Sequence, residues 1–427
     1  MMRPLDSIEQ VRRGVVGEFV PVVDPPLSRW LSGSLKLNSD DVVASVIADR
    51  DAFDSRGLPI ECAALAGRTE AGDVLLLGIN SRGNNRGHLD VARYRSEYLL
   101  VDVNLAEVNN DTVTGVQLTY HGLHGWVTDR IYKEDQITEG GKFVGWQAEL
   151  RYRRGAAVPL DDGFTLRFST AWEVGGEFDR RTFATPLAIT VESEQRQPIA
   201  EHVVRIDAVH ALLNIAHRKQ VKASGGSAKV GPNSDWSQFW ETNMMAAGAN
   251  VNVTQEFPYL GLGDVAGIEG VAEWVRLVLN NRRAVVPLVR HTLFKNQTPE
   301  ARLLSTAAAI EYWVAANRRQ HDWAKKVDGE ILPSALTRRV HESWAAWVGD
   351  PDQWLDLFWT SYQNIKHNPA ADLDPSLIHA LEVSGRWLLT SALLDECAGN
   401  KSPSRHLFET SLWNVGHDVR EHLESAS

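Results

Sequence analysis

The residues best suited to chemistry lie at the end of a predicted helix, where the chain reads Lys366-His367-Asn368-Pro369. The proline forces the helix to stop, and the negative end of the helix macrodipole attracts cations in its last turn. An imidazole at His367 can accept or donate a proton near neutral pH, and Lys366 supplies a fixed positive charge beside it. These residue types predict a pocket that holds a phosphate group and moves protons.

Two further side chains precede His367 on the same predicted helix. Asn364 lies three residues earlier and therefore on the same face, where its amide can hold an anion. Tyr362 lies five residues earlier and can hydrogen-bond a phosphate through its hydroxyl. A charged helix end without any function also explains Lys366 and His367, so the residues alone leave both interpretations open.

Two other basic clusters lie on predicted helices, with the sequences RRQH at 318–321 and RRVH at 338–341. The simple interpretation is a solvated helix face. The functional interpretation is contact with phosphate groups.

Motifs for the familiar nucleotide and metal sites are absent from the sequence. It contains no GxxxxGK[ST], HExxH or GxSxG and no CxxC pair. These absences disfavour ATP hydrolysis, zinc proteolysis and α/β-hydrolase chemistry. We therefore expect no cofactor and no metal site.

Composition describes a protein with a substantial core and an acidic surface. The chain has 427 residues, of which 43% are hydrophobic, and a net charge of −11. A broadly basic nucleic-acid binder is therefore disfavoured, although a local basic site is not. Two cysteines, Cys62 and Cys397, fit a reducing compartment. Because no apolar run is long enough for a signal peptide or a membrane span, we expect a cytoplasmic protein with no membrane partner.

The first half of the chain alternates short β-branched runs with turn residues, which predicts an antiparallel sandwich or barrel of six or more strands. The clearest runs lie at 32–37, 73–79, 96–105, 112–123, 163–172 and 186–193. Near residue 199 the hydrophobic period changes to that of a helix at 200–219. A Gly- and Ser-rich stretch at 222–235 predicts a loop, and 265–286 predicts another helix.

After Asn296 the sequence predicts helices only. Thr298 and Pro299 form a helix start, and Gly399 a helix stop. Eight of the 15 tryptophans lie after residue 300, which indicates an aromatic helical core. The predicted helices cover 301–317, 334–348, 351–366 and 375–398. The fold class is thus α+β, with a β-rich domain at 1–198, a helical hinge and mixed connecting region at 199–296, and an all-helical bundle at 297–427.

The chain resembles the ApeA family of bacterial anti-phage proteins over nearly its whole length. In the first half, the resemblance lies in VVGEF at 15–19, LSGSLKL at 31–37 and VQLTYHGLHGWV at 116–127. A hinge helix similar to AVHALLNIAHRKQV at 208–221 follows. In the second half, AIEYWV at 309–314 and the long segment at 364–399 resemble the last helices of a HEPN domain.

The resemblance implies that the helical bundle is a metal-independent endoribonuclease. HEPN domains of such systems carry an arginine four to six residues before a histidine, and the histidine corresponds here to His367. The arginine should fall within 360–362, but these positions hold Thr360, Ser361 and Tyr362. Either Lys366 or an arginine from another helix or subunit replaces it, or catalysis is lost. The arginines considered for this role are Arg318, Arg319, Arg338, Arg339 and Arg386, the last of which could instead pair with Glu382.

The leading hypothesis is an anti-phage defence protein that cleaves cellular RNA, tRNA among the candidates, and arrests growth after a phage-derived trigger. The resemblance also implies a homo-oligomer, with a composite site between two C-terminal bundles. The second hypothesis is a catalytically silent bundle that dimerises or binds RNA while the β domain recognises a partner. A third is a ligand-binding β domain unrelated to defence.

Overall fold

The computed structural model describes most of the chain. The described ranges are 4–23, 29–38, 41–47, 59–86, 90–127, 132–150, 154–170, 173–177, 180–184, 187–242, 258–293, 297–325, 331–368 and 373–425.

An antiparallel sheet forms the first half, and six of its strands close into a barrel. The order around the ring is β1–β2–β3–β6–β5–β4, and β4 pairs again with β1. A short helix, α1 (Pro4–Arg13), precedes the first strand. The strands are β1 (Val15–Val22), β2 (Leu31–Leu37), β3 (Val42–Ile47), β4 (Ala64–Thr69), β5 (Gly72–Arg86) and β6 (Asp90–Val101).

Strand β6 connects the barrel to the rest of the sheet. Its residues Val91–Ser96 pair with β3, while Tyr98–Val101 pair with a later strand, β16. From β16 the sheet continues in the order β15–β7–β14–β11–β10. These strands are β7 (Thr112–Tyr120), β10 (Arg154–Pro159), β11 (Phe164–Thr170), β14 (Leu187–Pro198), β15 (Ala223–Lys229) and β16 (Ser237–Glu241).

Two hairpins form separate two-stranded sheets. Strand β8 (Tyr132–Glu139) pairs with β9 (Lys142–Leu150), and β12 (Glu173–Glu177) pairs with β13 (Arg180–Ala184). Gly140 and Gly141, both at positive φ, make the two-residue turn between β8 and β9. Such turns favour glycine because its missing Cβ removes the steric penalty of positive φ.

Alternating burial along the strands produces the barrel core. In β1, β2 and β3, buried residues alternate with exposed or half-buried ones. Apolar residues of the six barrel strands and Val11 of α1 form one buried cluster, closed by Trp240 of β16. This burial explains why the β-branched runs of the sequence become strands here.

Helices make up the second half of the described chain and the connection to it. Helix α3 (Ile199–His217) follows β14, and a short α2 (Leu123–Val127) follows β7. The remaining helices are α4 (Gly267–Asn280), α5 (Arg282–Leu293), α6 (Pro299–Asn317), α7 (Ser334–Arg339), α8 (Ser343–Val348), α9 (Pro351–His367), α10 (Pro375–Ala398), α11 (Ser402–His406) and α12 (Trp413–Ser425). One π-helical turn, Leu407–Ser411, joins the last two helices.

Helix α10 is the central element of the helical half, because most of its residues are buried. It packs against α4, α6, α11 and α12. A Cβ at Gly385 would meet the Phe358 ring at 2.5 Å, so this glycine lets α9 approach α10 closely. In the same half of the chain, the centroid of the Trp344 ring lies 5.3 Å from that of Trp354 and 5.2 Å from that of Phe408. These contacts confirm the aromatic helical core that the tryptophans indicate.

Several predicted boundaries differ from the structure, although the α+β fold class is confirmed. The stretch 222–235, predicted as a loop, contains strand β15. The predicted helix at 265–286 breaks at Asn281, whose backbone leaves the helical region, and the one at 334–348 breaks after Arg339. Helices α11 and α12 lie within the range predicted to be all-helical, although the sequence predicts no individual helix after 398.

The described chain divides into two compact units by its internal contacts. The first, the β unit, comprises 1–123, 130–207 and 221–251, and the second, the helical unit, comprises 124–129, 208–220 and 252–427. The connecting region expected at 199–296 is distributed over both units. Among the helices described, none combines the length and apolar character needed to cross a bilayer.

Candidate functional site

Helix α9, which carries the predicted site, has defined ends. At its start the Asp350 carboxylate accepts hydrogen bonds from the backbone N–H groups of Asp352 and Gln353, at 3.0 and 3.1 Å. The helix ends at His367, and the backbone N–H of Asn368 still donates to the Asn364 carbonyl at 2.8 Å. The chain therefore places Lys366 and His367 in the last turn, as predicted.

Tyr362 is buried and forms the centre of a short hydrogen-bond chain. Its hydroxyl donates to Oε2 of Glu311, on α6, at 3.0 Å and accepts from Nζ of Lys366 at 3.2 Å. Burial raises the pKa of Tyr362, the hydrogen bond from Lys366 opposes this rise, and Glu311 adds to it. The Tyr362 hydrogen bond in turn raises the pKa of Lys366. The hydroxyl is thus protonated near neutral pH and engaged on both sides.

His367 and Asn364 are differently placed from Tyr362. The His367 side chain is exposed, and within the described ranges it makes no hydrogen bond or ion pair. Asn364 is half-buried one turn earlier. The imidazole is therefore accessible to solvent, while Lys366 is directed to the Tyr362 ring, 5.1 Å from its centroid.

None of the arginines considered as replacements contacts His367 in the described part of the chain. Arg386 is buried and pairs with Glu382, with Nε 3.0 Å from Oε1, which confirms the ion-pair interpretation. Burial lowers the pKa of Arg386, and Glu382 opposes this effect. Arg339 binds Glu396, and Arg338 donates to the Trp323 carbonyl at 3.1 Å.

A second polar region lies elsewhere in the helical unit, in a cleft of about 590 Å³ between α4, α6 and α10. We call it the polar cleft. None of its lining residues belongs to α9. They are Glu273, Arg276, Leu277, Asn280, Asn281, Trp313, Ala316, Asn317, Gln320, His321, Glu396 and Cys397.

Glu396 lies close to two basic residues at one side of the polar cleft. Its Oε2 accepts from both Nε and Nη2 of Arg339, at 3.2 and 3.0 Å. Its Oε1 lies 3.9 Å from Nε2 of His321, so the imidazolium form can pair with it. At the other side, Arg276 binds Glu273 at 2.5 Å. The cleft lining thus combines an imidazole, two carboxylates and the guanidinium group of Arg276, and Arg339 pairs with one of these carboxylates.

The sequence indicates part of this second region. The RRQH cluster at 318–321 contributes His321 and Gln320, but no signal marks Glu396 or Glu273, which look like ordinary helix carboxylates. Cys397 is buried there, and burial raises the pKa of its thiol well above the usual range. Among the residues that the structure describes, no group of His, Cys, Asp or Glu side chains is arranged to hold a metal ion.

Comparison with known proteins identifies the first half of the chain. The model of the family described as ApeA N-terminal domain 1 matches residues 31–252, just over half of the chain. No curated protein and no solved structure matches significantly. The matched range covers β2 to β16, including the barrel strands other than β1 and the strands that extend the sheet. The chain therefore belongs to the ApeA N-terminal domain 1 family.

Proposed function

We propose that this chain is an anti-phage defence protein whose helical unit cleaves RNA and thereby arrests growth. The observation that carries the proposal is the match of residues 31–252 to the ApeA N-terminal domain, in a chain that also forms a compact helical unit, mostly from residues 252–427. In this proposal the β unit responds to a phage-derived trigger and the helical unit, of HEPN type, is the effector. Both act in the cytoplasm, where cellular RNA is translated.

The proposed reaction needs no metal ion. A base removes the proton from a ribose 2′-OH, the oxygen attacks the adjacent phosphorus, the bond from phosphorus to the 5′-oxygen breaks, and an acid protonates that oxygen. His367 is the proposed acid or base, and Lys366 offsets charge on the phosphoryl oxygens. Exposure of His367 and its position beside Lys366 support these roles. Asn364, one turn away, would help hold the phosphate.

Two proton-transfer groups are required, and each chain offers one histidine at this position. A homodimer in which two helical units meet about a two-fold axis brings a second His367 close to the first. Light scattering tests this part directly. A monomer at concentrations at which RNA is cleaved would contradict the composite site.

The second candidate function is a silent helical unit that binds RNA or dimerises. It is favoured by one specific observation, since no arginine of the described ranges contacts His367. The Tyr362 hydroxyl is also already engaged by Glu311 and Lys366, so it has no free donor for a phosphate.

Expression in bacteria distinguishes the two functions. The wild-type protein, His367→Ala and the control His417→Ala, an exposed histidine on α12, would be compared for growth arrest and for protection against a panel of phages. We expect wild type and His417→Ala to protect and His367→Ala to fail at equal protein level. Protection by His367→Ala equal to that of wild type would favour the silent unit.

A further inference from the structure

The outer surface of the barrel carries a local excess of positive charge on four neighbouring strands, in the order β2–β3–β6–β5. Side chains that alternate with the buried core positions face outward on these strands. We call this surface the basic face. Three of its twelve outward positions are cations and none is acidic, although the chain as a whole carries −11. The positions are Ser32, Ser34, Lys36, Val43, Ser45, Ile47, Ser81, Gly83, Asn85, Val91, Arg93 and Arg95.

The pairing of the strands brings the three cations close together. Lys36 pairs with Val43 of β3, and Val43 pairs in turn with Arg95 of β6. Because neighbouring strands lie about 4.8 Å apart, the backbone positions of Lys36 and Arg95 are about 10 Å apart. Arg93 precedes Arg95 by two residues on the same strand, which corresponds to about 7 Å. The three positive charges therefore occupy one patch of the sheet.

Two of these cations have no acidic partner. Lys36 and Arg93 are exposed, and in the described part of the chain neither forms an ion pair. Arg95 is 61% exposed, and its Nε lies 3.6 Å from Oδ2 of Asp41. Such an exposed pair is weak, so Arg95 also stays available to an anion.

The acids beside the basic face do not outweigh its cations. Asp41 precedes β3, and Glu97, which is half-buried, follows Arg95 by two residues on β6. Three cations thus stand against these two carboxylates. Glu18 lies on the adjoining strand β1, where Arg68 of β4 is opposite to it. The face therefore keeps a positive charge, which favours an anionic partner.

Serine hydroxyls lie beside the cations on the same face. Ser34 pairs with Ser45, Ser45 pairs with Arg93, and Ser81 pairs with Arg95. The side chains of these three serines make no hydrogen bond within the described ranges. Each hydroxyl can donate one hydrogen bond and accept others. The basic face thus presents unused hydroxyl groups next to positive charges, with short side chains between them.

These features together favour one class of partner. Double-stranded RNA is bound mostly through phosphate and 2′-hydroxyl contacts across its wide, shallow minor groove. Cations suit the phosphates, and serine hydroxyls exchange hydrogen bonds with the 2′-hydroxyls. A DNA duplex has no 2′-hydroxyl and would leave the serines without these bonds. Binding of single strands typically uses aromatic side chains on which the bases stack, and the twelve positions include none.

We propose that the basic face binds double-stranded RNA, with phosphates on Lys36 and Arg93 and 2′-hydroxyls against Ser34 and Ser45. The face belongs to the β unit and contains no residue of α9. It therefore stands independently of the proposed RNA cleavage at His367.

Fluorescence anisotropy of the purified full chain tests this proposal. The probes are a labelled RNA duplex of about 20 base pairs, a DNA duplex of the same sequence and one strand of the RNA. We expect the RNA duplex to bind, and the DNA duplex and the single strand to bind about tenfold or more weakly, because each lacks one of the recognised features. Absence of binding to the RNA duplex, or equal binding of any other probe, would overturn the proposal.

Two controls accompany these titrations. Vesicles that contain phosphatidylserine present a different anionic surface, and we expect them not to displace the RNA duplex. Displacement by the vesicles would contradict the choice of RNA. His367→Ala should bind the RNA duplex like wild type, even where RNA cleavage is lost, and this separates the basic face from the proposed catalytic site.

Variants connect the binding to the basic face. Lys36→Ala and Arg93→Ala alter exposed side chains, so we expect unchanged unfolding temperatures. Each should lower the affinity for the RNA duplex about tenfold and reduce the slope of log affinity against log salt concentration by about one. The control Lys142→Ala, an exposed lysine of β9, should bind like wild type. Unchanged binding by both Lys36→Ala and Arg93→Ala would place the RNA elsewhere on the chain and overturn the proposal.

Discussion

The Tyr362 hydroxyl donates a 3.0 Å hydrogen bond to Glu311, which joins the predicted site on α9 to the neighbouring helix α6. The same hydroxyl accepts a hydrogen bond from Lys366, the residue before His367. This hydrogen bond holds the Lys366 ammonium group close to the surface of α9. Tyr362 thus positions Lys366, while the neighbouring His367 side chain is exposed to solvent.

The Tyr362→Phe variant distinguishes a hydroxyl that only positions Lys366 from one that contacts a phosphate directly. Loss of the hydroxyl removes two hydrogen bonds, and we expect the free energy of unfolding to fall by about 1 kcal/mol. RNA cleavage should persist within a few-fold, whereas Lys366→Ala should weaken it more strongly without abolishing it. Tyr312→Phe, which loses only a 3.5 Å bond to Asn281, is the matched control for stability. Abolished cleavage in a stably folded Tyr362→Phe protein would instead place the hydroxyl on the substrate.

Removal of the buried ion pair between Arg386 and Glu382 tests the packing of the helical unit. Arg386→Met leaves a carboxylate that is 1% exposed without its partner, and Oε2 of that carboxylate already lacks a hydrogen bond in the described structure. We expect the free energy of unfolding to fall by about 3–5 kcal/mol in denaturant titrations. For the exposed pair of Arg405 and Glu409, Arg405→Met should cost about 0–1 kcal/mol. Similar costs for both variants would contradict the burial of Arg386.

Because the imidazole of His202 is buried, we expect the β unit to lose stability at acid pH. The imidazole is buried, its Nε2 lies 3.1 Å from the Ser193 hydroxyl, and burial lowers its pKa from 6.5 to about 4. Between pH 4 and pH 6.5 the unfolded chain therefore binds more protons than the folded chain does. The stability that the neutral imidazole provides above pH 6.5 is consequently lost as the pH falls towards 4. The resulting decrease in the free energy of unfolding should reach about 3 kcal/mol.

Denaturant titrations of wild type and His202→Gln between pH 4 and pH 7.5 measure this effect. We expect the difference in unfolding free energy between the two proteins to shrink as the pH is lowered through this window. A difference that stays constant with pH would contradict a buried neutral His202.

The sequence predicts those elements whose signals are local. Thr298, Asp350 and Asp374 accept hydrogen bonds from the first turns of three helices, and Gly399 ends one of them at positive φ. Strand β15 has no such signal, because its sequence ASGGSAK lacks β-branched residues. Its small residues are required by packing, since a Cβ at Gly226 would meet Leu118 at 2.5 Å. A Gly-rich segment therefore resembles a loop in sequence and forms a strand through its neighbours.

The same distinction applies to the candidate sites. The position of His367 follows from the proline after it, and the pair Arg386 and Glu382 follows from a spacing of four on one helix. Arg339 and Glu396 are 57 residues apart, and their contact depends on how α7 meets α10. No periodic or motif signal encodes such a contact, so the sequence indicates single residues of the polar cleft, such as His321, but not the cleft itself.

The most direct test of the central claim is RNA cleavage by purified protein. Wild type, His367→Ala and His417→Ala would be incubated with total cellular RNA, with and without phage lysate as a source of trigger and with and without EDTA. We expect wild type and His417→Ala to cleave with EDTA present, and His367→Ala to remain folded and inactive. Cleavage by His367→Ala at the wild-type rate would contradict the catalytic assignment, and cleavage that EDTA abolishes would contradict the metal-free mechanism.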